Sequence, residues 1–354
     1  MISVVKRVIT FALTRKNSEL GSLFLFVCFG CLLLACSPAS RQIEHLFSGQ
    51  IMGTYFRITM IGENKEDLIR HESALQDTME SVNQSMSNYI DDSQVSRFNR
   101  MPAQQSMQVS IAFADVIRES LIISELSAGA FDITVSPLIN AWGFGEDGAV
   151  ERQPGQAELD RLAKTIGYQR LKLKGQDLAK SVDGLEVNVS AIAKGYAVDQ
   201  LSEYLLNAGV HNFLVDIGGE IRAAGSNLAG DSWRVAIENP TILGGVHKII
   251  GLSDIAIATS GDYRNFLVID GQQFSHTINP VTFKPSLHKL ASVSVVSDKC
   301  STADGLATAL MVMGDERGFE FAKENKLAVY MLVRTAKPDE YTILMTEEFR
   351  RILQ

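Results

Sequence analysis

The sequence predicts a mixed α/β (α+β) domain built as two closely packed lobes, and three observations predict it. Segments that alternate apolar and polar residues, and segments with a helical apolar period, follow one another along the chain with no Gly-, Pro- or Ser-rich linker between them. Strand-like segments dominate from Phe213 to Val296, and helix-like ones flank them on both sides. The chain has 354 residues, 46% hydrophobic and 21% charged, which is enough length and apolar content for one large domain or two lobes and argues against disorder.

The first stretch differs from the rest. Lys6, Arg7, Arg15 and Lys16 precede an apolar run from Leu23 to Ala35, only 13 residues long, whereas a spanning helix needs roughly 20. Residues 1–35 therefore read as a signal peptide. The run ends in Leu33-Leu34-Ala35-Cys36 and is followed by Ser-Pro-Ala-Ser, the pattern of a bacterial lipobox with Cys36 as the lipidated first residue. An ordinary N-terminal anchor in which Cys36 is incidental is the alternative. Both readings put the domain in the cell envelope, facing the periplasm, and both leave inner and outer membrane open. Without residues 1–35 the chain keeps 29 basic and 40 acidic residues, a net charge of −11, so nucleic acid is excluded as an expected partner. Cys28 and Cys31 leave with the signal, and Cys300 remains the one free thiol, which excludes a disulfide framework or a cysteine metal site. No histidine pairs with it locally, so it reads as a small buried residue.

Residues 36–48 read as a polar, aperiodic tether, and the folded domain is expected over 49–354. Gly49 to Thr59 alternates as a strand, with Gly53 where a backbone needs close approach. Leu68, Leu75, Met79, Val82, Met86 and Ile90 form one face of a long helix over 64–90. A second helix runs from a Ser110 cap to Ser127 and stops at Gly129. A helix near 156–166, a strand near 169–174 and a strand at Leu185–Val189 lead into a helix over 191–207, closed by Gly209. Strands follow at 213–217, 233–237, 255–259, 266–269 and 292–296. The chain ends with helices near 302–312 and 315–325 and strands at 327–333 and 341–345.

No Walker A loop, Rossmann glycine fingerprint, HExxH or GxSxG is present. The chemistry-bearing segments are less common ones. Asn188-Val-Ser-Ala-Ile-Ala-Lys194-Gly-Tyr-Ala is a strand entering a helix, with Ser190 as a cap and Lys194 in the first turn, where a cation opposes the helix dipole. A phosphate at the helix N-terminus would resolve that conflict; a solvated lysine is the alternative. In Cys300-Ser-Thr-Ala-Asp304-Gly-Leu-Ala-Thr308, the i, i+4 spacing sets two oxygens on one helix face, as a hard cation requires. Ser301-x-x-Asp304 also reads as a capping box. His276, in Ser275-His-Thr-Ile-Asn-Pro280, ends a strand where it could act as a base or serve a structural role. Ala130-Phe-Asp132 opens a polar-aromatic turn, followed by Trp142 and Phe144, which suit a planar ring or the core.

Taken together, the chain resembles the ApbE family of FAD:protein FMN transferases, lipoproteins included. The motifs that carry the resemblance are Met52-Gly-Thr, Ser96-Arg-Phe-Asn99, Ala130-Phe-Asp-Ile-Thr-Val-Ser-Pro137, Ser190-Ala-Ile-Ala-Lys-Gly-Tyr196, Val215-Asp-Ile-Gly-Gly-Glu220, Ala258-Thr-Ser-Gly-Asp262, His276-Thr-Ile-Asn-Pro280 and Thr302-Ala-Asp304. The resemblance implies an active site between two lobes, with Met52, Tyr89, Ala130, Phe131, Asp132, Asn188, Lys194 and Ile278 around FAD. It implies Mg²⁺ on Asp304 and Thr308, helped by backbone oxygens at Ala191 and Ala307, with His276 as base. The implied acceptors are Thr or Ser hydroxyls on target flavoproteins, such as subunits of ion-translocating redox complexes. Two positions depart from the family pattern: Asn188, where many members carry Asp, and Ala307, where some supply a carboxylate. FAD hydrolysis to FMN and AMP, or non-catalytic flavin binding, are the rival outcomes.

Overall fold

The computed structural model describes residues 42–354 except 146, 147, 149, 151, 242–244, 263–265, 270, 271, 276 and 338; of residues 263–276 it describes backbone at most. Residues Glu44–Gln354 form one compact unit. Its spine is an eight-stranded sheet whose spatial order is the chain order: β1 (Ile43–Ile51), β2 (Thr54–Gly62), β3 (Asn212–Ile217), β4 (Glu220–Ala224), β5 (Ile255–Gly261), β6 (Leu290–Ser297), β7 (Ala328–Arg334) and β8 (Tyr341–Met345). Every pairing from β2 to β8 is antiparallel. β1 begins at Ile43, so the ordered sheet reaches into residues that the sequence reads as tether.

The β-branched residues alternate across this sheet, so each face has its own apolar layer. On one face, Ile221, Ile257, Val296, Tyr330 and Leu332 pack against Trp233, Val235 and Leu252 of a hairpin formed by Trp233–Glu238 and Val246–Leu252, with Phe349 closing the layer. The other face carries the longest helices. The five longest are α1 (Glu72–Met86), α2 (Ile111–Leu126), α3 (Ser190–Asn207), α4 (Cys300–Met313) and α5 (Asp315–Glu324). α3 and α4 lie side by side against the sheet, and Gly195 makes this possible: a Cβ there would stand 2.5 Å from the Cys300 carbonyl oxygen. The long insertion between β2 and β3 adds a three-stranded sheet, Ser106–Gln108, Asp177–Lys180 and Leu171–Lys174, and a small core of Leu138, Trp142, Leu159 and Ile166, which Ile278 joins from the β5–β6 connection.

Several elements differ from their sequence reading for local reasons. The helix read over 64–90 is broken: Lys65–Ile69 ends at Arg70, and α1 restarts after His71. Leu185–Val189 is not a strand, because its backbone is bound by side chains instead of a ladder. Ser190 is not the cap of α3 but its first residue; Asn188 Oδ1 accepts its N–H at 2.9 Å and its hydroxyl at 2.6 Å. The Ser110 cap is present, accepting from Phe113 N at 3.2 Å. Among the described residues, no helix is long and apolar enough to cross a membrane.

Candidate functional site

A cavity of about 480 Å³ opens where the ends of β4 and β5 meet the N-terminal half of α3, the face of α4 and the 130–139 segment. Its apolar side is built by Ala130, Phe131, Ile133, Val135, Ile139 and Ile278, and its polar side by Asn188, Lys194, Glu220, Ser260, Asp304 and Thr308. Each wall has a structural cause. Asp132 is buried, and its Oδ1 accepts the Thr134 N–H (2.8 Å) and hydroxyl (2.6 Å) while Oδ2 accepts Tyr168 N (2.9 Å), fixing the turn that presents Phe131. Burial pushes its carboxyl above the usual range, and those hydrogen bonds pull the other way. Ala191 lines the cavity from the first turn of α3, and Asp304 and Thr308 line it one helical turn apart on α4.

The polar end is organised around one cation. Lys194 Nζ lies 3.4 Å from Glu220 Oε1 and 4.0 Å from Asp304 Oδ2, and Gly195 N donates to the same Asp304 oxygen at 3.1 Å. Burial disfavours the charged lysine, but the two carboxylates outweigh it and hold its pKa above the ordinary value. The carboxylates respond oppositely. Burial pushes Glu220 up to about 8, further than Lys194 can pull it down, with Asp304 adding repulsion. Burial raises Asp304 as well. Among the described residues Glu220 Oε2 is buried with no hydrogen-bond partner, an oxygen with spare acceptor capacity at the cavity wall.

Asp304 is free for this role because it does not cap α4. Asp199 of α3 caps that helix from outside, accepting Cys300 N at 2.8 Å and Ser301 N at 2.9 Å, and Glu119 of α2 accepts the Ser301 hydroxyl at 2.9 Å and the Thr302 hydroxyl at 2.5 Å. The capping-box reading of Ser301-x-x-Asp304 is thereby corrected, since the box needs an intrahelical pair and the helix start is already satisfied from two neighbouring helices. Cys300 is buried, as expected of a thiol with no histidine beside it in sequence.

The structure brings Ala130, Phe131, Asp132, Asn188, Ala191, Lys194, Ile278, Asp304 and Thr308 to one cavity. Ala307 is buried and does not line it. Met52 does not line it either; it sits at positive φ in the β1–β2 turn, and its neighbour Thr54 lies against Gly218 at the cavity edge. Tyr89 is 82% exposed, next to Asn88, whose amide is tied to the Val187 carbonyl beside Asn188. His276 and Cys36 lie outside the described residues; Thr277 and Ile278, which follow His276, line the cavity. Sequence reasoning gave no role to Glu220, Ser260 or Gly218. The signal for Glu220 was the preceding Gly218-Gly219, both at positive φ, a turn that aims the next residue inward.

Fold and cleft together define an α/β protein with an amphipathic ligand cleft at one end of a chain-ordered antiparallel sheet. The ApbE family model matches residues 52–331, and the chain belongs to that family. It is 42% identical over 306 residues to the FAD:protein FMN transferase of Vibrio cholerae, covering 86% of this chain and 91% of that one. It is 36% identical over 326 residues to the FAD:protein FMN transferase of Haemophilus influenzae, covering 90% and 94%. Among solved structures, the flavin transferase ApbE from Vibrio cholerae matches with a TM-score of 0.80 at 38% identity, over 88% of this chain and 100% of that chain. The apo Pseudomonas stutzeri flavinyl transferase ApbE matches with a TM-score of 0.80 at 34% identity, over 88% and 97%.

Proposed function

We propose that this protein transfers the FMN half of FAD to a Thr or Ser hydroxyl on a target flavoprotein. The observation that carries the reading is a single cleft with an apolar, Phe-bearing wall and a lysine–carboxylate end, in a chain that matches FAD:protein FMN transferases over nearly its whole length. The acceptor oxygen attacks the phosphorus of the FMN moiety, the pyrophosphate P–O bond breaks, AMP departs with the bridging oxygen, and the hydroxyl proton goes to a base. The apolar wall holds the ring system, and Lys194 with the N-terminus of α3 offsets phosphate charge. His276 is the base in this reading.

The residues present fit a divalent cation that shares its coordination with phosphate. Among the described residues no cluster of three His, Cys, Asp or Glu side chains forms a metal site by itself. Asp304, the Thr308 hydroxyl and the Ala191 carbonyl supply hard oxygen donors at the cavity wall, and the spare buried oxygen of Glu220 adds acceptor capacity. When bound, Mg²⁺ supplies charge neutralisation at the pyrophosphate. In the same proposal the enzyme is lipidated at Cys36, works in the cell envelope facing the periplasm, and serves subunits of ion-translocating redox complexes.

Incubation with FAD, Mg²⁺ and a candidate acceptor tests the reading. Flavin fluorescence on the acceptor band with stoichiometric AMP, lost on chelation, is the expected result. Free FMN and AMP in the presence of a competent acceptor would make the protein a hydrolase, and unchanged FAD would make it a carrier.

A further inference from the structure

Ser96-Arg-Phe-Asn99 lies outside the cavity, and its asparagine is used in an uncommon way. Asn99 Oδ1 accepts the Val187 N–H at 2.7 Å and its Nδ2 donates to the Val187 carbonyl at 2.9 Å, so one side chain takes both backbone groups of one residue, as a neighbouring strand would. Asn88 Nδ2 donates to the same carbonyl at 3.0 Å. Lys180, only 2% exposed, ties the two segments together, its Nζ donating to the carbonyls of Asn99 (2.7 Å) and Leu185 (2.8 Å). The clamped stretch has no ladder of its own, and its next residue is Asn188, whose N–H is bound to the Ile133 carbonyl at 2.8 Å. Asn188 lines the cavity and holds the first turn of α3 through Ser190.

We infer that Asn99 is a positioning residue for the ligand: by pairing with Val187 it fixes the backbone that delivers Asn188 and the start of α3 to the flavin cleft. A backbone stretch without regular structure has many accessible conformations, and fixing it beforehand lowers the ordering cost when ligand binds. The asparagine suits this because its carboxamide offers a donor and an acceptor at the spacing of a peptide group, whereas Asp lacks the donor and Leu lacks both. Lys180 serves the same end by occupying carbonyls that the irregular backbone leaves open.

The inference rests on the flavin reading above, and its test separates the two. FAD affinity, measured by quenching of flavin fluorescence, steady-state AMP release and thermal unfolding are recorded for the parent, Asn99→Leu, Asn99→Asp and Asn88→Ala. The expected result is that Asn99→Leu weakens FAD binding on the order of tenfold, with KM rising in parallel and kcat held within about threefold. Asn88→Ala, which loses one donor to the Val187 carbonyl, falls between Asn99→Leu and the parent, and Asn99→Asp, which sets a carboxylate oxygen against that carbonyl, weakens binding at least as much as Asn99→Leu. A parent that binds no FAD removes the flavin reading itself. A parent that binds FAD and an Asn99→Leu variant that binds it equally well, with only a lowered melting temperature, overturns the inference by making Asn99 a fold residue alone. Should Asn99→Leu fail to fold, Asn88→Ala decides, and unchanged FAD affinity there overturns it.

Discussion

Glu220 and Asp304 are buried around one lysine, and the burial of Glu220 makes the site sensitive to pH. Folding moves the Glu220 carboxyl from 4.5 to about 8, so between those values the folded protein holds a proton that the unfolded chain has released. Stability therefore falls as pH rises through this window, the opposite of an ordinary salt-bridged carboxylate. Glu220→Gln removes the titration, and the metal-free variant should lose less melting temperature between pH 5 and pH 8 than the parent; parallel curves would refute the assignment. At the same scale, His276→Ala should lower transfer by roughly 10²–10⁴-fold while FAD still binds, read by acceptor fluorescence and flavin quenching. Asp304 and Thr308 were legible in the sequence because helical spacing alone puts them on one face. Glu220 was not, because its neighbour Lys194 is supplied by a different element and only the packing of α3 on β4 joins them.

The helix pair α3–α4 is the element that carries most of the polar end, and it is held by contacts invisible to local pattern. Gly195 has to be glycine because the two backbones meet there, and its N–H also fixes Asp304. Gly195→Ala should cost about 1–3 kcal/mol in urea unfolding, as overpacking does, and should weaken Mg²⁺-dependent turnover by moving α4. Asp199 joins the same helices, receiving two N–H groups of α4 and lying 3.3 Å from Arg222 Nη1. Asp199→Ala should destabilise by roughly 2–4 kcal/mol and Asp199→Asn by less, since an amide keeps one acceptor; equal unfolding midpoints for all three would remove the cap from the account. Helix interiors and the Ser110 cap were readable because period and cap residues are local. The break at Arg70–His71 and the irregular 185–189 stretch were not, since both depend on partners distant in sequence.

At the scale of the molecule, the mixed α/β class and most strands were legible, because each strand of the sheet alternates on its own. The chain-ordered arrangement was not, because pairing is a property of the whole sheet. A cleft formed only in the folded chain links ligand to global stability: saturating FAD at about 100 times its Kd should stabilise the protein by ~2.7 kcal/mol, seen as a raised melting temperature, and no rise would mean no selective binding to the folded state. The sheet's order has a further consequence for how the chain acquires its shape. β2 and β3 are neighbours, yet about 150 residues separate them, whereas β3–β4 and β7–β8 are joined by short connections. Closing a long loop is entropically costly and rewards the chain only once both strands meet, so short-range hairpins form first and the β2–β3 seam closes late. α4 is made last of the elements lining the cleft, so a growing polypeptide has no means of gripping a nucleotide until almost all of it has been synthesised.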